Sequence, residues 1–371
     1  MAAHAPPELL SLGVEEEFLL VDRRSRRPVP RAPEVIAEAG LTLGGRVQAE
    51  FYPTQIEVCT SPVRTVDELR AELVFLRRTV AAVARSAGCL LVASGTPALP
   101  GHIPAEVTDN PRYRRMAEQF GAVADGNGGG VCGCHVHLGT ASRAQALALA
   151  NQLRPWLPTV QALAVNSPFN EGRDSGFASW RAILWNRWPT VGPAPILDEA
   201  GYEELANTLV DSGLLLDRRM IYWYARPSEH VPTLELRVAD VNADLDTAVL
   251  LALLLRGLAT VLLAEVREGV PAPDVSGALL RAAHFQAARG GLDGAGVDPF
   301  TGRARPLRTL LEDLMLRAAP GLRDSGDLPL VEQLLAGLLA SGTGANRQRA
   351  AFRRRGRLLD VVDALAELTV P

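Results

Sequence analysis

The chain has 371 residues, with 38 basic residues against 42 acidic ones and a formal net charge of −4. Every basic residue is arginine, because the sequence contains no lysine. The composition therefore excludes classes of protein that depend on a lysine: the Gly-Lys-Ser/Thr phosphate loop, the pyridoxal Schiff base and the protein kinases. The small net charge provides no general field for binding nucleic acid.

Hydrophobic content of 47% and charged content of 22% are typical of a globular protein. The first residues, Met1 to Leu12, have neither the charged region nor the apolar core of a signal peptide. The longest apolar stretch, 248–264, is interrupted by Arg256 and Gly257, which predicts a buried helix instead of a membrane span. Four cysteines are too few for a disulfide scaffold. We expect a cytoplasmic protein that binds neither membrane nor nucleic acid.

Strand-like segments concentrate in the first two thirds of the chain, and helical periodicity dominates the last third. The predicted strands are Gly13–Asp22, a hairpin-like pair across Val47–Cys59 that bends at Pro53, Leu90–Ser94, Val131–Thr140, Ile221–Ala225 and Thr233–Asp240. The predicted helices are Thr65–Gly88, a helical stretch over Ser142–Val165, and almost everything from Leu245, including Leu328–Ala340 and Arg347–Leu368. This order favours an α+β fold with an antiparallel or mixed sheet, formed as a single domain over 1–371.

The first predicted strand carries acidic residues on one face. Glu15 and Glu17 point the same way, since side chains alternate across a strand. The rest of the strand is apolar on both faces, which indicates burial. A buried carboxylate costs several kcal/mol, of order 3–5, unless it is paired or bound to a metal. A strand at the surface edge of the sheet is the alternative.

The second segment repeats this pattern. Glu50 and Glu57 lie on either side of the bend at Pro53, and a hairpin would bring them close together and near the first strand. Taken alone this pair is a weak signal, because exposed glutamates are common on hairpins.

The third segment places His135 and His137 on one face of a strand. Cys132 and Cys134 point away from the histidines, and no second Cys/His cluster follows at zinc-ligand spacing. A histidine that binds a metal beside oxygen ligands, or that contacts phosphate, is favoured over zinc; two satisfied core histidines are the alternative.

The fourth segment has Glu235 and Arg237 on the face opposite three apolar residues. A simple ion pair would explain them alone, but four strands with the same pattern predict a sheet with one face on helices and the other lining a cleft. Mg²⁺ takes oxygen ligands and shares them with nucleotide phosphates. In a chain without lysine, arginine must supply every cationic contact to phosphate. The cleft is thus suited to a nucleoside triphosphate.

Taken together, these segments resemble the type 2 glutamate–cysteine ligases, or carboxylate–amine ligases, which are relatives of glutamine synthetase. The resemblance runs from Gly13 to the last predicted helix. It rests on the order of these motifs: Gly13-Val14-Glu15-Glu16-Glu17-Phe18, Gln55-Ile56-Glu57, Cys134-His135-Val136-His137-Leu138-Gly139, Asn166-Ser167-Pro168-Phe169, Phe177-Ala178-Ser179-Trp180-Arg181, Arg226-Pro227-Ser228, Leu234-Glu235-Leu236-Arg237-Val238 and Phe285-Gln286-Ala287-Ala288-Arg289.

The resemblance implies a curved antiparallel sheet that cradles ATP and Mg²⁺ or Mn²⁺, with helices on its outer face. The metal ligands that it implies are Glu15, Glu17, Glu50, Glu57, Glu235 and a histidine, assigned here to His135 although the sequence does not separate it from His137. Arg237 and Glu57 are the implied catalytic residues, and His137, Arg181, Arg226 and Arg289 the implied contacts to ATP or substrate. The sequence departs from some relatives at Gly95-Thr96-Pro97, where they have histidine after Gly-Thr.

The implied reaction is ATP-dependent formation of an amide through an acyl phosphate, with the γ-carboxylate of glutamate and with cysteine or another amine as small-molecule substrates. Two alternatives remain: a guanidino-type phosphotransferase on the same fold, and a non-catalytic nucleotide-binding module. The resemblance also favours a homodimer or larger oligomer.

Overall fold

The computed structural model describes residues 9–101, 106–123 and 130–371. The strands within these ranges are β1 (Leu12–Asp22), β2 (Val47–Ala49), β3 (Gln55–Cys59), β4 (Cys89–Val92), β5 (Gly133–Gly139), β6 (Phe169–Asn170), β7 (Arg173–Asp174), β8 (Ala225–Pro227), β9 (Thr233–Asp240), β10 (Ala295–Val297) and β11 (Ala304–Pro306).

Helices connect the strands and make up most of the last third of the chain. They are α1 (Ala32–Leu43), α2 (Val66–Ser86), α3 (Pro111–Phe120), α4 (Arg143–Leu153), α5 (Leu157–Leu163), α6 (Trp180–Trp185), α7 (Glu199–Asp211), α8 (Leu245–Arg267), α9 (Gly277–Gly290), α10 (Leu307–Asp324), α11 (Leu328–Ser341), α12 (Gly344–Arg355) and α13 (Leu358–Thr369).

The main sheet has the strand order β2-β3-β1-β5-β9-β8, and β4 pairs with the far end of β1. Every pairing in this sheet is antiparallel. The predicted α+β fold with a large antiparallel sheet is confirmed, as is the predicted hairpin of β2 and β3 across Pro53.

The register of the sheet aligns the polar residues of four strands. Opposite one another on neighbouring strands are Glu17 and Glu57, Glu15 and His135, His137 and Glu235, and Glu235 and Arg226. Because paired residues on neighbouring strands point to the same side, these residues form a continuous polar patch on one face of the sheet.

Helices pack against the opposite face and form the largest core. Helix α8 is central to it, as predicted for the apolar stretch 248–264. Among the described helices, α8 alone has the length and apolar composition to cross a membrane, but 83% of its apolar window is buried inside the protein. That degree of burial is typical of a core helix.

Helix α2 follows its sequence signals closely. The Thr65 hydroxyl accepts a hydrogen bond from the Glu68 amide, and the Glu68 carboxylate accepts one from the Thr65 amide, which completes the predicted capping box. Gly88 adopts a φ of +77° just after the helix, where a residue with a side chain would be strained.

Three predictions of secondary structure were wrong in detail. The segment predicted as a strand over Ile221–Ala225 becomes one only at its end, in β8, because the Tyr224 amide donates to the Gly192 carbonyl outside the sheet. The helix predicted over Arg347–Leu368 divides into α12 and α13 at Gly356, whose φ of +66° ends α12. The hairpin of β10 and β11 interrupts a region predicted as almost wholly helical.

Candidate active site

The polar patch of the sheet lines a cleft of about 870 Å³. The predicted site residues that line it are Glu15, Glu17, Glu50, Glu57, His135, His137, Arg181, Arg226, Glu235 and Arg237. A volume of this size is in the usual range for a cofactor or nucleotide site, roughly 300–1,000 Å³.

Glu15 lies between the two histidines. Its carboxylate oxygens are 3.0 Å from His135 Nδ1 and 3.1 Å from His137 Nε2. Burial opposes ionisation of Glu15, but contact with the two imidazoles outweighs it and lowers the pKa of Glu15. Burial and the nearby Arg237 lower the pKa of His135, whereas for His137 the effect of burial is outweighed by Glu15, which raises its pKa. Both histidines thus take part in the cluster.

A second cluster consists of carboxylates alone. Oxygens of Glu17, Glu50 and Glu57 lie within 4.8 Å of one another. Glu17 accepts a hydrogen bond of 2.5 Å from the Gly133 amide. Burial, together with the charge of Glu17, raises the pKa of Glu50 to about 8. Burial and the charges of Glu15 and Glu50 raise the pKa of Glu57 well above its ordinary value.

These clusters fit a divalent cation. The groups whose ligand atoms converge are Glu15 with Glu57 and His135, Glu15 with His137 and Glu235, and Glu17 with Glu50 and Glu57. His135 Nε2 is buried and has no hydrogen-bond partner among the described residues. Crowded carboxylates with raised pKa values are stabilised when a cation binds their ionised forms. Oxygen-rich groups are the ligands of Mg²⁺ and Mn²⁺.

The cysteines beside the histidines do not contribute to these groups. Cys132 and Cys134 are buried in the hydrophobic cores, as the alternation of side chains predicted. No cysteine occurs in the potential metal-ligand groups of the described residues.

The polar patch also contains arginines that contact its carboxylates. Arg226 donates to Glu235 at 2.7 Å and 3.3 Å, and Arg237 also donates to this carboxylate. Burial opposes ionisation of Glu235, but the charges of Arg226 and Arg237 hold its pKa well below the ordinary value. The Nε of Arg237 is buried without a hydrogen-bond partner among the described residues, which leaves it free to donate to an anion.

Arg181 comes from α6 and is 2% exposed. Its Nη1 lies 4.0 Å from Asp240 Oδ1, and its Nε has no hydrogen-bond partner within the described part of the chain. The guanidinium lies directly over Gly133, in the space that a Cβ atom would need. It is therefore next to the amide that holds Glu17, beside the carboxylate cluster.

The sequence reasoning missed an aromatic wall at one end of the cleft. It is formed by Phe51, Tyr113, Trp185, Trp188 and Tyr222, which all line the cleft. Their rings meet mostly edge to face, with centroids 5.5 Å apart for Phe51 and Tyr113 and 5.9 Å apart for Trp188 and Tyr222. The only sequence signal was the density of aromatic residues in segments far apart along the chain.

Arg289, predicted to contact ATP or substrate, is exposed on α9 and is not among the residues that line the cleft, so this contact stays a prediction. The motif that contains it supports the site through its backbone. The carbonyl of Ala288 accepts hydrogen bonds from the amides of Ala178 and Ser179, at 2.9 Å and 2.8 Å, directly before α6.

Solved structures share this fold at low sequence identity. The crystal structure of a glutamate–cysteine ligase from Francisella tularensis in complex with AMP superposes with a TM-score of 0.71 at 13% identity, covering 98% of this chain and 89% of that one. A bifunctional glutathione synthetase from Pasteurella multocida superposes with a TM-score of 0.69 at 15% identity, covering 98% of this chain and 52% of that one. This likeness shows that the chain shares the fold of these two proteins.

Closer relatives identify the family. The model of glutamate–cysteine ligase family 2 matches residues 11–364. A protein of Saccharopolyspora erythraea provisionally named glutamate–cysteine ligase 2-1 is 47% identical over 363 residues, covering 98% of this chain and 95% of its own. A protein of Salinispora tropica provisionally named glutamate–cysteine ligase 2 is 45% identical, covering 98% and 96%. The chain belongs to glutamate–cysteine ligase family 2 and is an ATP-dependent carbon–nitrogen ligase, as its motifs predicted.

Proposed function

We propose that the protein uses ATP to join the γ-carboxylate of glutamate to cysteine or to another small amine. The observation that carries this proposal is a buried cluster of carboxylates and histidines beside arginines with unused N–H groups, in one cleft. Family membership supports the reaction type, and the cited relatives support glutamate and cysteine as the first substrates to test.

ATP fits the cleft by charge as well as by size. The arginines of the cleft can meet the triphosphate, and its carboxylates can hold the cations that accompany it. Mg²⁺ or Mn²⁺ held by Glu15, Glu17, Glu50, Glu57, Glu235 and the histidines would neutralise and orient the phosphates. The related ligase of Francisella tularensis was crystallised with AMP, which agrees with a nucleotide site in this fold.

The proposed reaction has two steps. In the first, a carboxylate oxygen of the substrate attacks the γ-phosphorus of ATP, the bond to the β-phosphate oxygen breaks, and ADP leaves. In the second, the amine nitrogen attacks the carbonyl carbon of the acyl phosphate, phosphate leaves with its bridging oxygen, and the nitrogen loses a proton to form the amide.

The protein's contribution to the first step is mainly position and charge. Arg237 and Arg181 are buried and keep N–H groups unpaired, so they can donate to the phosphoryl group as its charge redistributes. Such preorganised donors need no rearrangement of solvent during the reaction. Arg226 holds Glu235 in place from the neighbouring strand.

The test is to measure ADP release with ATP, Mg²⁺ or Mn²⁺, glutamate and a panel of amines, and to determine the mass of the product. An amide between glutamate and an amine supports the proposal and identifies the amine. A stable phosphorylated acceptor would instead establish a phosphotransferase. ATP binding without turnover for any pair in the panel would favour a nucleotide-binding module.

A further inference from the structure

A buried aspartate lies behind the cleft and does not line it. Asp240 is the last residue of β9 and is 1% exposed. It accepts hydrogen bonds from the Asn166 amide at 2.8 Å, the Ser167 hydroxyl at 2.7 Å and the Ser179 hydroxyl at 2.8 Å. Its carboxylate is therefore held by three donors from the segment that leads into α6.

Both hydroxyls that donate to Asp240 also accept hydrogen bonds from the first turn of α6. The Arg181 amide donates to the Ser167 oxygen at 3.0 Å, and the Ala182 amide donates to the Ser179 oxygen at 3.2 Å. The aspartate thus fixes the backbone of Arg181 through two serines. Its Oδ1 also lies 4.0 Å from Arg181 Nη1, which makes it the carboxylate paired with this guanidinium.

Two glycines leave room for this arrangement. A Cβ on Gly95 would lie 2.8 Å from the Asp240 carboxyl carbon, and a Cβ on Gly133 would collide with the Arg181 guanidinium. Gly95 belongs to the Gly95-Thr96-Pro97 segment. In this chain the segment allows Asp240 to approach closely.

The position of Arg181 connects this network to the carboxylate cluster. The guanidinium lies over Gly133, whose amide donates to Glu17 in the carboxylate cluster. Cations held by such a cluster would neutralise the phosphates at the reacting end of a nucleotide. Arg181, held beside the cluster, would then be in reach of the terminal phosphate.

We infer that Asp240 is a positioning residue that holds Arg181, through Ser167, Ser179 and a direct charge contact, where the guanidinium donates to the terminal phosphate of ATP. This inference rests on the proposed function. A purely structural aspartate would affect stability alone, whereas a positioning residue affects the triphosphate more than the diphosphate and acts only through Arg181.

The experiment is a double-mutant cycle of Asp240→Asn and Arg181→Gln. It measures the affinity for the β,γ-imido analogue of ATP and for ADP, each with Mn²⁺, by calorimetry, and then kcat for ADP release. We expect Asp240→Asn to weaken binding of the analogue about tenfold or more and to lower kcat by a similar factor, while ADP binding changes less than about twofold. In the Arg181→Gln background, Asp240→Asn should have almost no further effect.

Asp298→Asn is the matched control. Asp298 is 4% exposed and accepts hydrogen bonds from the Phe300 amide and from Arg305, in the β10–β11 hairpin away from the cleft. The Asp298→Asn variant should have altered thermal stability, but its affinities for the ATP analogue and for ADP should not change by different factors. Ser179→Ala, which removes one donor to Asp240 and keeps both charges, replaces Asp240→Asn in the cycle if that variant does not fold.

Effects that multiply in the double variant, or an equal loss of affinity for the analogue and ADP, would overturn the inference. Failure of the proposed function has a different signature: the wild-type protein would bind the analogue but release no ADP. The affinities of the four proteins in the double-mutant cycle could still be measured and compared in that case.

Discussion

Three consecutive glutamates in β1 show how strand geometry assigns different roles to the same residue type. Glu15 and Glu17 face the cleft, where their neighbours are histidines and other carboxylates. Glu16 faces the helices and pairs with Arg77, with both side chains fully buried. Alternation alone separates the two environments, because successive side chains of a strand point to opposite faces.

Glu15, like Glu57, belongs to two of the three potential metal-ligand groups among the described residues. We expect Glu15→Gln to lower kcat for ADP release by about 100-fold or more, because the amide loses the charge that a divalent cation requires. The variant should remain folded, as monitored by its melting temperature. Glu34→Gln, at an exposed residue paired with Arg31, should retain wild-type activity. Full activity of Glu15→Gln would contradict the assignment of this cluster.

The raised pKa of Glu50 makes cation binding dependent on pH. In the folded protein this pKa is about 8, compared with an ordinary value of 4.5. Because the pKa of Glu50 is raised in the folded protein, the metal-free protein loses stability as the pH rises from the ordinary pKa toward 8. A cation that binds the ionised carboxylate offsets this loss of stability. Mn²⁺ should therefore raise the melting temperature more at about pH 8.5 than at about pH 6.

Calorimetry in buffers of different ionisation enthalpy should also show that Mn²⁺ binding releases protons near pH 7. Glu50→Gln should reduce this release, since the amide does not titrate. An equal stabilisation by Mn²⁺ at both pH values would show that Glu50 and Glu57 are not ligands.

At the scale of elements, the site depends on the register of β1, β3, β5 and β9. A shift of one residue in any of these strands would turn its polar side chains to the helical face. The pairing of β5 with β9 shifts in register between Cys134 and Val136. His135 and His137 nevertheless both line the cleft.

Gly133 of β5 lies against the Arg181 side chain of α6. In Gly133→Ala the new methyl group would displace the Arg181 guanidinium. We expect kcat to fall about tenfold or more, because small displacements of a positioned catalytic group are costly. ADP-release kinetics and a thermal melt measure the two effects separately.

Gly337→Ala provides the comparison, since a Cβ there would contact nothing within 4 Å on α11. It should leave kcat unchanged and stabilise the helix by up to about 1 kcal/mol. If Gly133→Ala behaved in the same way, Arg181 would not need its observed position.

One buried arginine joins elements that are far apart along the chain. Arg77 of α2 pairs with Glu16 at 2.5 Å and 2.9 Å, and it also donates to the carbonyls of Asn242 and Thr369. It thereby links β1, the segment after β9 and the C-terminal end of α13. The strand that supplies Glu15 and Glu17 is anchored from behind by this network.

Arg77→Ala should destabilise the protein by about 3–5 kcal/mol, because it leaves the Glu16 carboxylate buried without a partner. The free energy of unfolding in urea measures this loss. Arg77→Met combined with Glu16→Leu should recover much of it, since no buried charge is left. Arg31→Ala, at an exposed ion pair, should change stability by less than about 1 kcal/mol, and a similarly small effect of Arg77→Ala would refute the anchoring role.

The local features of the protein follow from its amino-acid sequence. The capping box of α2, the hairpin at Pro53, the strands β1 and β9 and the polar face that they share follow from residue types and their spacing. The order of the motifs likewise sufficed to predict the family. These features were predictable because helix capping and strand alternation act between residues a few positions apart.

Tertiary packing determines which distant residues meet. It placed Arg289 on the surface, brought Trp185 and Tyr222 together in the aromatic wall, and set Asp240 behind Arg181. It also showed that both histidines contact Glu15. These contacts join residues far apart in the chain, and they depend on how helices and strands pack, which no local pattern of the sequence specifies.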